Sequence, residues 1–255
     1  MELGTLSATA LYFGDMESNA KLAELLKTLE LDFGYTFSIP AGWSCPSALE
    51  CLSRAHRDTG KITDGPQTRF RCFAATIEAR SPAARDHGWE NWDLLLEVKR
   101  DPDAMAALIL AALPIDAEIV RIHVRGDFWS REYLDAWLLV AAARPSVRFY
   151  AYTKSFDILP PRASLPANLA ITASEGGKHP MSMATDLGYF PATVVFSEAQ
   201  AEAMGLAIDH DDSHALAGDH AFALLLHGTQ PKGSEAAAAL RDIKAAAKAP
   251  LQIAA

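Results

Sequence analysis

Cysteine is scarce in this chain, with three in 255 residues. An odd number cannot pair fully within one molecule, and three are too few for the disulfide scaffold of a small secreted domain. Long apolar runs are lacking too. No stretch reaches the roughly 18 consecutive apolar residues of a membrane span, and residues 1–13 lack the basic region and long apolar stretch of a signal peptide. The expected address is cytoplasmic, where thiols stay reduced. Positive charge is in deficit: 23 Lys and Arg stand against 32 Asp and Glu, a formal net charge of −9. That balance does not favour a nucleic-acid or anionic-membrane partner. No G-x-G-x-x-G follows the first strand pattern, and the P-loop spacing G-x-x-x-x-G-K-S/T is missing, so the sequence signatures of dinucleotide and nucleotide cradles are absent. With no long linker, low-complexity tract or internal repeat, residues 1–255 read as one α/β domain.

What the chain does have is apolar substance. Half of its residues are hydrophobic, enough for a sizeable core at this length. Strand and helix patterns alternate. Residues 35–39 (YTFSI) are aromatic and β-branched and stop at Pro40, which predicts a short buried strand. Residues 70–79 read as a helix, and 89–113 as one long helix closed by Pro114. Residues 119–124 (IVRIHV) form the clearest strand pattern. Ser130 is a good N-cap for a helix over 131–143, with Leu134, Trp137, Leu138 and Ala141 on one face. Further strands are expected at 147–152, 169–173, 193–196 and 222–226, with helices at 198–204 and from Ser234 onward. Strand then helix, repeated about six times, is the pattern of a parallel α/β fold. An open doubly wound sheet and a barrel both fit; the missing glycine fingerprint weakens the former. The expectation is a partial (β/α) barrel of about six parallel strands.

In such a fold the chemistry gathers at the carboxyl ends of the strands. Those ends carry Cys45, Asp127, Lys154, Ser174 and His227. Loops are polar in any case and glycine makes turns, so no single loop is diagnostic. Their convergence on one mouth would suit a small-molecule substrate or cofactor.

The three cysteines, Cys45, Cys51 and Cys72, are spaced C-x5-C-x20-C and fall within residues 40–80, after the first strand. Cys72 falls near the start of a helix, where the positive end of the dipole favours a thiolate. Three readings fit this spacing: small buried hydrophobes, a structural zinc site with His56 as fourth ligand, or a three-cysteine iron–sulfur cluster with one iron left open.

Other constellations carry less. Asp209-His210-Asp211-Asp212-Ser213-His214 combines types that suit a divalent metal, but these residues also make turns and caps, and a solvated turn is the plainer reading. Residues 227–234 form a glycine-containing loop that opens a helix, either an anion cradle or an ordinary entry capped by Ser234. Phe128-Trp129 and Phe149-Tyr150 read as core rather than as base-stacking platforms.

Several stretches together resemble the phage gene-product-88-like family of actinobacterial phages and bacterial genomes. They are Ser18–Leu22 (written SNAKL), Phe37-Ser38-Ile39-Pro40-Ala41 leading to Cys45-Pro46-Ser47-Ala48 and Cys51, and Arg71-Cys72-Phe73-Ala74. Residues 121–130 (RIHVRGDFWS), 149–155 (FYAYTKS) and 226–234 (LHGTQPKGS) complete the set. More distantly, Cys72-Phe73-Ala74, Gly126-Asp127-Phe128, Tyr152-Thr153-Lys154 and residues 172–175 stand in the order seen in radical-SAM-like phage proteins of the gene-product-37/68-like group. That resemblance implies a radical-SAM-like partial barrel. It implies a 4Fe–4S cluster on Cys45, Cys51 and Cys72, and S-adenosylmethionine (SAM) held at Gly126, Asp127 and Ser174. Asp127, Lys154 and His227 would then serve the reaction. The spacing departs from the usual C-x3-C-x2-C of such enzymes, and residues 52–71 read as an insertion.

Overall fold

The computed structural model describes residues 10–246. The chain begins with β1 (Phe13–Asp15), α1 (Ala20–Leu29) and β2 (Gly34–Phe37), followed by a hairpin of β3 (Ser53–Ala55) and β4 (Ile62–Asp64). Three helices follow, α2 (Phe73–Arg80), α3 (Pro82–Glu97) and α4 (Pro102–Ala112). Then come β5 (Ile119–Ile122), α5 (Arg131–Ala143), β6 (Arg148–Thr153), β7 (Leu169–Ser174) and α6 (Ser182–Thr185). The described part closes with β8 (Pro191–Val195), α7 (Glu198–Ala203), α8 (Ser213–Ala217), β9 (Phe222–Leu225) and α9 (Glu235–Ala246).

Seven strands form one sheet in the order β1-β2-β5-β6-β7-β8-β9, and β3 with β4 forms a separate ribbon. The six strands from β2 to β9 are mutually parallel; β1 runs antiparallel along the edge of β2. Spatial order follows chain order, so the winding never reverses. A doubly wound sheet needs such a reversal, and that alternative is excluded. The fold is a mixed α/β arrangement on a mostly parallel sheet whose outer strands, β1 and β9, do not pair with each other.

Alternation along the strands sets the two faces. Val120, Ile122, Phe149, Ala151, Ile171 and Ala173 pack with Leu95 of α3, Met105 and Ile109 of α4, and Tyr133, Trp137 and Val140 of α5. Ile119, Tyr150 and Phe222 turn the other way, onto Leu22, Leu25 and Leu26 of α1 and Ala215 of α8. The i, i+3, i+4 spacing of those leucines gives α1 its apolar stripe, and Asn19 caps it by accepting from the Lys21 amide at 3.1 Å. Phe128, Phe149 and Tyr150 are core residues, as their positions suggested.

Two expectations need correction, and the six expected parallel strands gain an antiparallel neighbour. The long helix over 89–113 is two helices, because Pro102 cannot continue α3 and Asp101 starts α4 by accepting from the Ala104 amide at 3.0 Å. The edge strand β1 adds a seventh strand to the expected six. The insertion 52–71 is not a plain loop but carries the β3–β4 ribbon. Ser130, by contrast, caps α5 as expected, accepting from the Tyr133 amide at 3.2 Å.

Candidate functional site

The carboxyl ends of β2, β5, β6 and β7 are tied together by backbone. The Ile39 amide donates to Arg125 O at 3.1 Å, which joins the exits of β2 and β5. Gly126 follows in a left-handed conformation (φ +94°); a Cβ there would lie 2.4 Å from Ile39 Cγ1 and 2.7 Å from Ser44 Oγ. Only glycine allows this approach, and it brings Asp127 up to the cysteine loop. That loop is pinned on its far side too. Ala48 bridges Gly177, the Glu50 amide donates to Gly176 O at 2.9 Å, and the Lys178 amide donates to Ser47 O at 2.9 Å.

Cys72 arrives from a different direction. The ribbon delivers it to the N-cap of α2, where its amide donates to Ser53 Oγ at 3.2 Å. Gln230, from the loop after β9, holds the preceding residue: its Oε1 accepts from the Arg71 amide at 2.7 Å and its Nε2 donates to Arg71 O at 3.1 Å. All three cysteines are free and half-buried. They lie near enough for Cys45 to feel Cys72 and Cys51, and for Cys72 to feel Cys51.

Burial raises the pKa of each thiol. For Cys45 the neighbouring Asp127 adds to the rise, and for Cys51 the Lys154 ammonium partly offsets it. Cys72 is pushed up to about 12, chiefly by burial and next by Cys51, although the amides of Ala74 and Ala75 pull the other way. The thiolate expected there from the helix dipole is therefore corrected: desolvation outweighs the dipole. The Gly42 amide points at Cys45 Sγ at 3.2 Å. Backbone donors thus face all three sulfurs, the Cys51 amide facing its own, an arrangement that favours a bound thiolate.

Asp127 is buried, yet richly held. Its Oδ1 accepts from the Phe128 amide at 2.7 Å and Thr153 Oγ1 at 2.6 Å, and its Oδ2 accepts from the Lys154 amide at 2.9 Å. Burial wins over these bonds and raises its pKa to about 6. Lys154 Nζ donates to Ser174 Oγ at 2.7 Å and to Glu175 O. The structure therefore brings Asp127, Lys154 and Ser174 together beside the cysteine loop. A cavity of about 210 Å³ opens next to them, lined by Glu50, Arg69, Phe70, Glu175, Gly176 and Phe196.

His227 lies further along the sheet, its ring 4.5 Å from that of Phe73. It presents surface to solvent from a crowded recess. That crowding, with the charges of Lys21 and Arg121, lowers its pKa to about 4 against the pull of Asp212. His56 is exposed in the ribbon turn, its Nδ1 accepting from the Asp58 amide at 3.3 Å, and no contact ties it to the three thiols. Among the described residues, no group of three or more His, Cys, Asp or Glu side chains is arranged to hold a metal ion.

The 209–214 stretch is not a solvated turn throughout. Asp209 is buried and accepts from the amides of Asp211, Asp212 and Ala215. Asp212, in a left-handed conformation (φ 70°), is buried too, and pairs with Arg121 and with Lys21 at 2.6 Å. It also accepts from the hydroxyls of Tyr150 at 3.2 Å and Tyr152 at 3.3 Å. His210 is exposed and precedes α8, and His214 meets His220 instead, so the two do not share a helix face. The loop after β9 is a helix entry, with Ser234 Oγ accepting from the Ala237 amide at 3.1 Å.

Glu78, Arg125 and Gln230 were not visible as site residues in the sequence. Glu78 is buried and holds the Ala41 amide on Oε1 at 2.9 Å, and burial raises its pKa to about 7. Its place within a short Ala-rich helix gives no hint of this.

By fold and site this is a singly wound parallel α/β protein with three free cysteines and a buried Asp127–Lys154–Ser174 cluster near its strand ends. No helix of the described residues is long and apolar enough to cross a membrane. The family model described as Gene product 88 matches residues 11–247, and the chain belongs to that family. It is 28% identical over 120 residues to the Gene 88 protein of Mycobacterium phage L5, which covers 44% of this chain and 44% of that one. Against the Gene 88 protein of Mycobacterium phage D29 it is 27% identical over 120 residues, 44% of this chain and 43% of the other. The chain thus matches less than half the length of each of these phage relatives. No solved structure matches it.

Proposed function

We propose that this protein is an iron–sulfur enzyme of the radical-SAM-like kind, acting on a small molecule or a modified macromolecule. The observation that carries the reading is that the loop of Cys45 and Cys51 is fastened by backbone bonds to residues 176–178 at the strand ends, while Gln230 holds the residue before Cys72. A structural zinc takes four donors, and His56, the fourth that the sequence offers, is exposed in the ribbon turn. A cluster takes each cysteine on a different iron, which spreads the ligands wider. Cys45, Cys51 and Cys72 would hold it, and when bound it supplies one electron to a sulfonium cofactor.

The chain's own residues have three tasks here. Asp127 has about four acceptor sites, and three bonds occupy it. The remaining one can take an ammonium group of a cofactor such as SAM, with Gly126 allowing close approach. Lys154 has three donors, two of them spent on Ser174 and Glu175; the third can hold a carboxylate or phosphate. His227, kept neutral at pH 7 by its surroundings, can accept a proton from a group bound in the recess.

The test is anaerobic purification followed by metal and sulfide analysis. About four iron and four sulfide per chain are expected for one 4Fe–4S cluster, with loss of both in Cys72→Ala. Colourless protein with one zinc, or unchanged iron in that variant, overturns the reading and points to a binding protein with structural metal or reduced thiols.

A further inference from the structure

A second cleft, of about 560 Å³, lies between the edge strands and the starts of two helices. Ser18, Asn19 and Ala20 bring the N-terminus of α1 to it, and Ala83 and Ala84 bring the N-terminus of α3. Ten and sixteen residues long, both helices place positive dipole ends there. Between them Arg125 lines the wall. Its side chain is 9% exposed. The nearest carboxylate oxygen, Glu78 Oε1, is 3.9 Å from Arg125 Nε and already accepts from the Ala41 amide. Among the described residues Arg125 Nε has no hydrogen-bond partner, and neither has Glu78 Oε2.

A buried guanidinium nitrogen without a hydrogen bond is costly. Such a group persists where something outside the chain completes it. Burial and the raised pKa of Glu78 leave that carboxyl partly protonated near neutral pH, so the positive charge of Arg125 is incompletely balanced. Asp15 is the one carboxylate on the cleft wall, and its Oδ1 is turned to the Glu17 amide at 2.7 Å.

We propose that this cleft binds the oxyanion of a small organic ligand, a phosphate or carboxylate group, between Arg125 and the N-termini of α1 and α3. The volume exceeds that of a bare anion and falls in the range of small-ligand sites. At the mouth, Tyr12 is exposed and stacks on His87 with ring centroids 3.8 Å apart, an aromatic surface for the organic part. This site uses none of the three cysteines and stands whether or not they hold a cluster.

The test is titration calorimetry of the whole protein with inorganic phosphate and, separately, with acetate, each against sodium chloride at equal ionic strength. Saturable binding of at least one anion is expected. Phosphate alone would assign a phosphate ligand, and acetate alone a carboxylate ligand. Arg125→Gln should weaken it at least tenfold. Ala20→Glu provides a second variant that keeps the fold, since Ala20 is exposed in the first turn of α1, where a carboxylate suits the helix; it should weaken binding by a similar factor. Binding no stronger than that of chloride, or unchanged in both variants, overturns the proposal.

Discussion

Two polar clusters sit on this sheet, and they treat charge differently. Around Asp212, on the α1 face, two cations and two phenols converge on one carboxylate, and of their buried polar atoms only Arg121 Nε lacks a partner among the described residues. At the strand ends and the neighbouring cleft, Glu78 Oε2, Arg125 Nε and Ser155 Oγ are all unpartnered, and three thiols stand protonated. A closed network holds elements together; here it fastens α1 and α8 to β5 and β6. An open one costs stability and is explained by what it can bind.

The sharpest way to break this contrast is to open the closed cluster. Asp212→Ala leaves Lys21 and Arg121 facing each other unneutralised, and should cost about 3–5 kcal/mol of unfolding free energy in urea. A loss below about 1 kcal/mol would mean the network carries no structural load.

A smaller effect separates the two aspartates by pH. Asp127 titrates near 6 in the folded chain against an ordinary 3.8. Between those values the unfolded chain has already released a proton that the folded chain keeps, so stability falls as pH rises across the window, by up to about 3 kcal/mol. Asp212 is shifted downward, by Arg121 and Lys21 against the burial penalty. Its contribution is present above about pH 4 and is lost as pH falls through its folded value. Glu78, raised to about 7, adds a slope of the same sign, so in unfolding curves of metal-free protein from pH 4 to 7 Asp127→Asn should reduce the fall without abolishing it; equal slopes in that variant and the parent would contradict the burial of Asp127. The smallest change is expected from Gln230→Ala, about 2 kcal/mol for three lost hydrogen bonds, with faster alkylation of Cys72 as its mark.

How much of this could be read in the sequence follows from how local the cause is. Strands β5 to β9 and the cap at Ser130 rest on short-range pattern and were legible. So was the gathering of Asp127, Lys154 and Ser174, because a parallel fold directs its strand ends to one side. Strand β1 was not, since Phe13-Gly14-Asp15 is three residues without alternation. The apolar spacing on both sides of Pro102 concealed the break there. Asp212 looked like a turn residue, and Arg125 like any loop arginine, because burial of a charge depends on residues far away in sequence.

The Gln230 clip bears on when this protein becomes complete. It joins positions 159 residues apart, while Cys45 and Cys51 are placed by contacts with residues 176–178. During synthesis the first thiols emerge long before either partner exists. Closing so long a loop is an entropic cost met late in folding. The loop of Cys45 and Cys51 therefore waits for β7 and the turn after it, and Cys72 gains its clip only after β9 has been made.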